Sequence, residues 1–136
     1  MDPNTSQATR NKFEKLLKAK KIEVVGGGWV QHDETLTSPK MQILNTESGL
    51  EWLSDTFPFV EVETMWQIDP FGASYLSPAL MSQFYSNAVL NRIGDKVKDR
   101  LKDSREMQFH WTYEDKELLT HVINNHYSTE QGELVN

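Results

Sequence analysis

The 136-residue chain contains no cysteine, which excludes disulfides and thiolate chemistry without fixing a compartment. It has no run of about 18 apolar residues. Its opening, MDPNTSQATRNK, is polar throughout, so neither a membrane span nor a signal peptide is expected here. A basic block is also lacking: 14 Lys and Arg are scattered among 20 Asp and Glu, for a formal net charge of −6 and a pI near 5.2. That balance argues against nucleic acid as a partner. No internal repeat, low-complexity tract or Pro/Gly/Ser-rich linker divides the chain. Gly26-Gly27-Gly28 is followed by no Lys-Ser/Thr and has no GxGxxG spacing, so a phosphate cradle is not supported. What is present is 38% hydrophobic and 25% charged residues, the mix and length of one domain over residues 1–136 that can enclose a core. Asn4-Thr5-Ser6 is a glycosylation sequon, read here as part of an unmodified tail.

Along the chain, helical and extended patterns alternate. Phe13, Leu16 and Leu17 fall at helical spacing in a Lys-rich stretch that runs into Ile22-Glu23-Val24-Val25, read as a strand ended by the glycines. Ile43, Leu50, Leu53 and Phe57 form the seam of an amphipathic helix, stopped by Pro58. Residues 62–68, rich in β-branched and aromatic side chains, read as a strand whose exit is Asp69-Pro70-Phe71-Gly72. Leu76, Leu80 and Phe84 suggest a further helical face, Ala88-Val89-Leu90 a strand ending at Arg92, and Val97 with Leu101 a short charged helix. Met107, Phe109 and Trp111 alternate as in a strand, and Leu118, Leu119, Val122 and Ile123 make a last helical face. Helices alternating with short strands predict an α/β fold around a parallel sheet, since parallel neighbours need a crossover. In such sheets function gathers at strand C-terminal ends. That singles out residues 26–34, residues 69–74 and Arg92, three segments that can share one edge.

Asp69 is the sharpest chemical candidate: a carboxylate directly after an apolar strand, with Pro70 fixing the turn. Taken alone, Asp-Pro is an ordinary turn, Phe71 a core residue and Arg92 a surface charge. The surrounding residues change that reading. Trp66-Gln67-Ile68-Asp69-Pro70-Phe71-Gly72, with Ala73-Ser74 after it, resembles the signature of glycoside hydrolase family 38, the lysosomal, Golgi and epididymis-type α-mannosidases. Val25-Gly26-Gly27-Gly28-Trp29-Val30-Gln31-His32-Asp33-Glu34 is similar to a second block of that family, at the family's separation. Leu50, Leu53, Asp55, Thr56 and Phe57 between the blocks, and Arg92 and Gln108-Phe109-His110-Trp111 after them, keep the correspondence. It runs over about residues 10–128, leaving 1–9 as a polar tail.

The resemblance implies part of a parallel (β/α) barrel-like N-terminal catalytic domain that removes terminal α-linked mannose from oligosaccharides with retention of configuration. Asp69 is then the nucleophile and a zinc ligand. Phe71 lies beside metal and sugar, Arg92 orients the nucleophile, and Tyr127 contacts substrate. It also implies the lysosome or secretory pathway. For Asp33 and Glu34 two readings stand, contacts that support the site from behind or the capping work of helix N-terminal carboxylates, and the structural one is preferred.

The chain departs from the family in several places. The family's His-x-Asp metal element is missing, and its proton-donating aspartate and last metal histidine fall past Asn136. His32, His110, His121 and His126 are not placed as those ligands. Ser38-Pro39 stands for His-Tyr, Leu44-Asn45 for Asp-Gln, and Thr129 for the second ring of a Tyr-Ser-Tyr stretch beginning at Tyr127. The expectation is therefore a partial chain, inactive by itself. The alternative is a truncated, catalytically inactive paralogue that binds carbohydrate or protein.

Overall fold

A computed structural model describes residues 5–125. Helix α1 (Gln7–Lys18) starts where the Ser6 side chain accepts from the Thr9 amide. Helix α2 (Pro39–Thr56) starts at Ser38, which accepts from the Met41 amide, with Pro39 in the first turn. Ser38-Pro39 is thus a helix start, with proline where its missing N–H costs nothing. The remaining elements are β1 (Thr64–Gln67), α3 (Ser77–Met81), β2 (Asn87–Leu90), α4 (Asp95–Ser104), β3 (Gln108–Tyr113) and β4 (Lys116–Val122). They build one four-stranded sheet in the order β1-β2-β4-β3. β1, β2 and β4 run parallel, and β3 is antiparallel to β4. The fold is α/β with a mostly parallel, open sheet. No helix among the described residues is long and apolar enough to cross a membrane.

Several expectations are corrected. Residues 118–123 are not helical: β4 covers most of them, and the buried set Leu118, Thr120, Val122 has a period of two. The polar Thr120 hid that alternation, and it lies buried with its hydroxyl donating to the Leu118 carbonyl. Residues 22–25 form no strand. They run beside β1, where the Gly26 amide donates to the Thr64 carbonyl, and then turn at once, with the Gly27 amide donating to the Val25 carbonyl. Positive φ at Gly26 and Gly27, 73° and 71°, takes the backbone out of extended geometry there.

The helical faces also differ from the apolar pattern. α2 buries Gln42, Thr46 and Gly49, while Ile43, Leu50 and Leu53 are half-buried. The reason is what it packs against: the backbone of residues 27–29 lies directly over Gly49. The Asn45 carbonyl accepts from the Trp29 amide, and the Asn45 side chain both accepts from the Val30 amide and donates to the Val30 carbonyl. α3 is a single short turn burying Ser77, Pro78 and Met81, with Leu80 and Phe84 at the edge of the core. In α4, Val97 is exposed and Lys98 is buried. The Lys98 ammonium donates to the Asn91 carbonyl and side-chain oxygen, and burial pulls its pKa down, with Lys102 adding to the shift.

The core is Met65, Met81, Tyr85, Ala88 and Leu118, which joins β1, β2 and β4 to α3. Phe57, buried at the end of α2, meets the rings of Phe13, Trp52 and Phe59 edge-on, which docks α1 onto α2.

Candidate active site

Parallel pairing decides what stands at the exit edge of the sheet. Gln67 of β1 pairs with Leu90 of β2, so Asp69 and Arg92, each two residues further on, leave the sheet side by side. Arg92 Nε lies 3.7 Å from Asp69 Oδ1. With the Asp69 side chain 65% exposed, this pair is worth about 1 kcal/mol or less to stability. Its interest is placement. The Arg92 guanidinium carbon also sits 4.9 Å from the centre of the Phe71 ring, which is itself exposed. Asp69, Phe71 and Arg92 therefore form one open group at the edge. Tyr127 and His126 lie outside the described residues.

The loop carrying Asp69 is tied down along its backbone. The Asp69 amide donates to Gln31 Oε1 at 3.3 Å, the Gly72 amide to the Arg92 carbonyl at 2.8 Å, and the Ser74 amide to Glu34 Oε2 at 2.7 Å. Gly72 has φ of +98°, a conformation that glycine supplies at no steric cost. Residues 26–34 thus reach the same edge as residues 69–74 and Arg92. Glu34 is buried and accepts from Gln67 Nε2 at 3.2 Å and from the Ser77 hydroxyl as well. Neither Asp33 nor Glu34 caps α2. Asp33 instead closes its own turn, accepting from the amides of Thr35 and Leu36. Gln31 was not singled out by the sequence and Glu34 only as the less favoured of two readings, since their partners lie about 40 residues away.

His32 is partly buried beside Asn45, with its Nε2 enclosed. Burial lowers its pKa, and the charges of Glu34 and Asp33 only partly oppose this. A folded-state pKa below the unfolded value means that the unfolded chain takes up the proton first as pH falls. The stability contributed by neutral His32 is therefore present above the unfolded value and lost on acidification through the folded one. Urea midpoints compared between about pH 7 and about pH 5.5 should fall more for the wild type than for His32→Gln. Equal falls would show that the ring is not held neutral.

Among the described residues, no three His, Cys, Asp or Glu side chains gather so as to hold a metal ion. Asp69 offers one donor, beside a guanidinium, so these residues do not by themselves fit a zinc site. His110 instead stands 3.3 Å from Glu117 on the β3–β4 hairpin, and His121 is an exposed residue of β4.

An exposed carboxylate at the exit of a parallel strand, set beside an arginine and an aromatic ring, stands at the edge where α/β sheets gather their functional groups. Comparison with known proteins gives the class. Residues 2–136 match the model of the glycosyl hydrolases family 38 N-terminal domain, and the chain belongs to that family. It is 36% identical over 127 residues to alpha-mannosidase F of Dictyostelium discoideum, an alignment covering 88% of this chain and 13% of that protein. It is 31% identical over 137 residues to the epididymis-specific alpha-mannosidase of Sus scrofa, covering 96% of this chain and 14% of that protein. The chain thus spans about one seventh of the length of these relatives.

Proposed function

We propose that this chain carries one part of an α-mannosidase active site, in a barrel-like domain that other strands would complete, and that Asp69 is the nucleophile of a retaining hydrolysis of terminal α-linked mannose. The observation that carries this reading is the group at the sheet edge: Arg92 in register with Asp69 and 3.7 Å from it, with Phe71 stacked on the guanidinium. In a retaining reaction Asp69 attacks the anomeric carbon and a second carboxyl, roughly 5 Å away, protonates the departing oxygen. Arg92 orients the attacking carboxylate, and Phe71 offers an apolar face to the sugar ring. Zinc would find in Asp69 one of its donors. The substrate is a mannose-containing oligosaccharide, and the compartment that goes with the family resemblance is the lysosome or secretory pathway. The alternative, an inactive remnant that binds sugar or protein, draws on the openness of the edge, where Asp69 and Phe71 are largely exposed.

Two measurements test this. The purified chain, given an aryl α-mannoside and zinc, should show no turnover, because one carboxylate of the pair is not enough. Metal-dependent turnover would sink that argument. A titration with methyl α-mannoside, followed by NMR, should perturb Phe71 and Arg92 and leave β3 unaffected. Asp69→Asn should weaken the response, and methyl α-glucoside should produce less of it. Identical responses to both sugars, or none at the edge, would remove the mannosidase reading.

A further inference from the structure

Glu34 is 6% exposed, and a carboxylate taken out of water costs several kcal/mol unless donors replace its hydration. Its donors come from three places. Gln67 is the last residue of β1, two before Asp69; Ser74 lies in the loop after Asp69; Ser77 opens α3. Glu34 therefore grips the segment carrying Asp69 on both sides of that residue. A carboxylate that merely capped a helix would hold one end of one element. Gln67 is committed as well, because its side-chain nitrogen also donates to the His32 carbonyl at 3.1 Å. Three residues before Glu34, Gln31 accepts from the Asp69 amide itself. One short strip of chain thus sets the position of the loop, and the loop in turn is fixed to the exit of β2 through the bond from the Gly72 amide to the Arg92 carbonyl.

From this geometry we infer that Glu34 is a positioning residue: it acts through Gln67, Ser74 and Ser77 to hold Asp69 and Phe71 in register with Arg92. The inference rests on the reading of Asp69 as the reacting carboxylate. The Glu34 oxygens face these donors and not the Asp69 carboxylate. Its two oxygens are both occupied, Oε1 by Gln67 and Oε2 by Ser74 and Ser77. Glu34→Gln keeps the shape but turns an amide nitrogen toward one of these donors. Gln67 can relieve the conflict only by giving up its bond to the His32 carbonyl.

The test uses the whole chain and a reporter built into the edge. The Arg92 guanidinium lies over the Phe71 ring, so its Nε proton carries a ring-current displacement in the NMR spectrum that depends on the loop position. In Glu34→Gln this displacement should be lost, and the Ser74 amide should exchange with solvent about tenfold faster or more, as expected when its acceptor loses its charge or is replaced by an amide nitrogen. The Thr120 and Val122 amides, in the sheet, should stay protected. Ser77→Ala removes one donor at less risk to folding and should shift both reporters the same way by a smaller amount. If Glu34→Gln fails to fold, Ser77→Ala decides.

Unchanged Arg92 displacement and Ser74 exchange in the folded variants would overturn the inference. Methyl α-mannoside separates it from the reading beneath it. A response at Phe71 weakened about tenfold in Glu34→Gln, in step with the lost displacement, supports both. Lost displacement in a chain whose wild type ignores the mannoside supports the hold of Glu34 on the loop and sinks the mannosidase reading. An undiminished mannoside response despite lost displacement would overturn the positioning role.

Discussion

Gly49→Ala should leave the chain unable to hold its native structure, with a loss of about 3 kcal/mol or more in a urea or thermal melt. A Cβ at this position would lie 2.2 Å from the Gly27 carbonyl oxygen, 2.4 Å from the Gly28 carbonyl carbon and 2.5 Å from the Trp29 amide nitrogen. All three are backbone atoms, so no side-chain rotation relieves the overlap. Either α2 moves outward or residues 27–29 do, and both moves strain the bonds by which Asn45 holds Trp29 and Val30. The helix propensity of alanine favours the substitution by only about 1 kcal/mol and does not offset the clash. A variant as stable as the wild type would mean that α2 and the glycine segment are not packed backbone to backbone.

The second large effect separates a strand from a helix at the end of the described chain. Leu118 is fully buried in the core against Met65, Met81, Tyr85 and Ala88, so Leu118→Ala should cost about 3 kcal/mol, the transfer term plus the cavity it leaves. Leu119 points to the other face of the sheet and is only half-buried, and Leu119→Ala should cost about 1 kcal/mol or less. On a helix the two neighbours would share an apolar face and give similar losses. A ratio near one in denaturant melts would contradict the pairing of β4 with β2.

That contrast also shows what the sequence could and could not reveal. α1, α2, β1, β2 and α4 were legible because their patterns and stops rest on neighbours in the chain: Pro58 follows the end of α2, and Asp69-Pro70-Phe71-Gly72 closes β1. β4 was not, because Thr120 occupies an inward position where an apolar residue would have declared the alternation. The inner face of α2 was missed for a related reason. It is chosen for smallness against a neighbouring backbone, and the periodicity of apolar residues carries no trace of that.

At the candidate site, Asp69 and Arg92 could each be located at a strand exit from sequence. Their meeting at 3.7 Å follows from the β1–β2 register, which no local pattern encodes. The joining of Glu34 to Ser74 and Ser77 is likewise a contact across the fold, visible only once β1 and α3 are in place.

The bonds between Asn45 and Val30 bear on how this chain behaves among other chains. A side-chain amide offers the same donor and acceptor as a peptide group, and here it occupies both backbone groups of Val30 as a neighbouring strand would. Val30 itself is a β-branched residue with its side chain exposed, the kind of stretch that recruits foreign strands when its backbone is free. Asn45 thus fills, from α2, the two backbone positions at Val30 that a neighbouring strand would otherwise pair with.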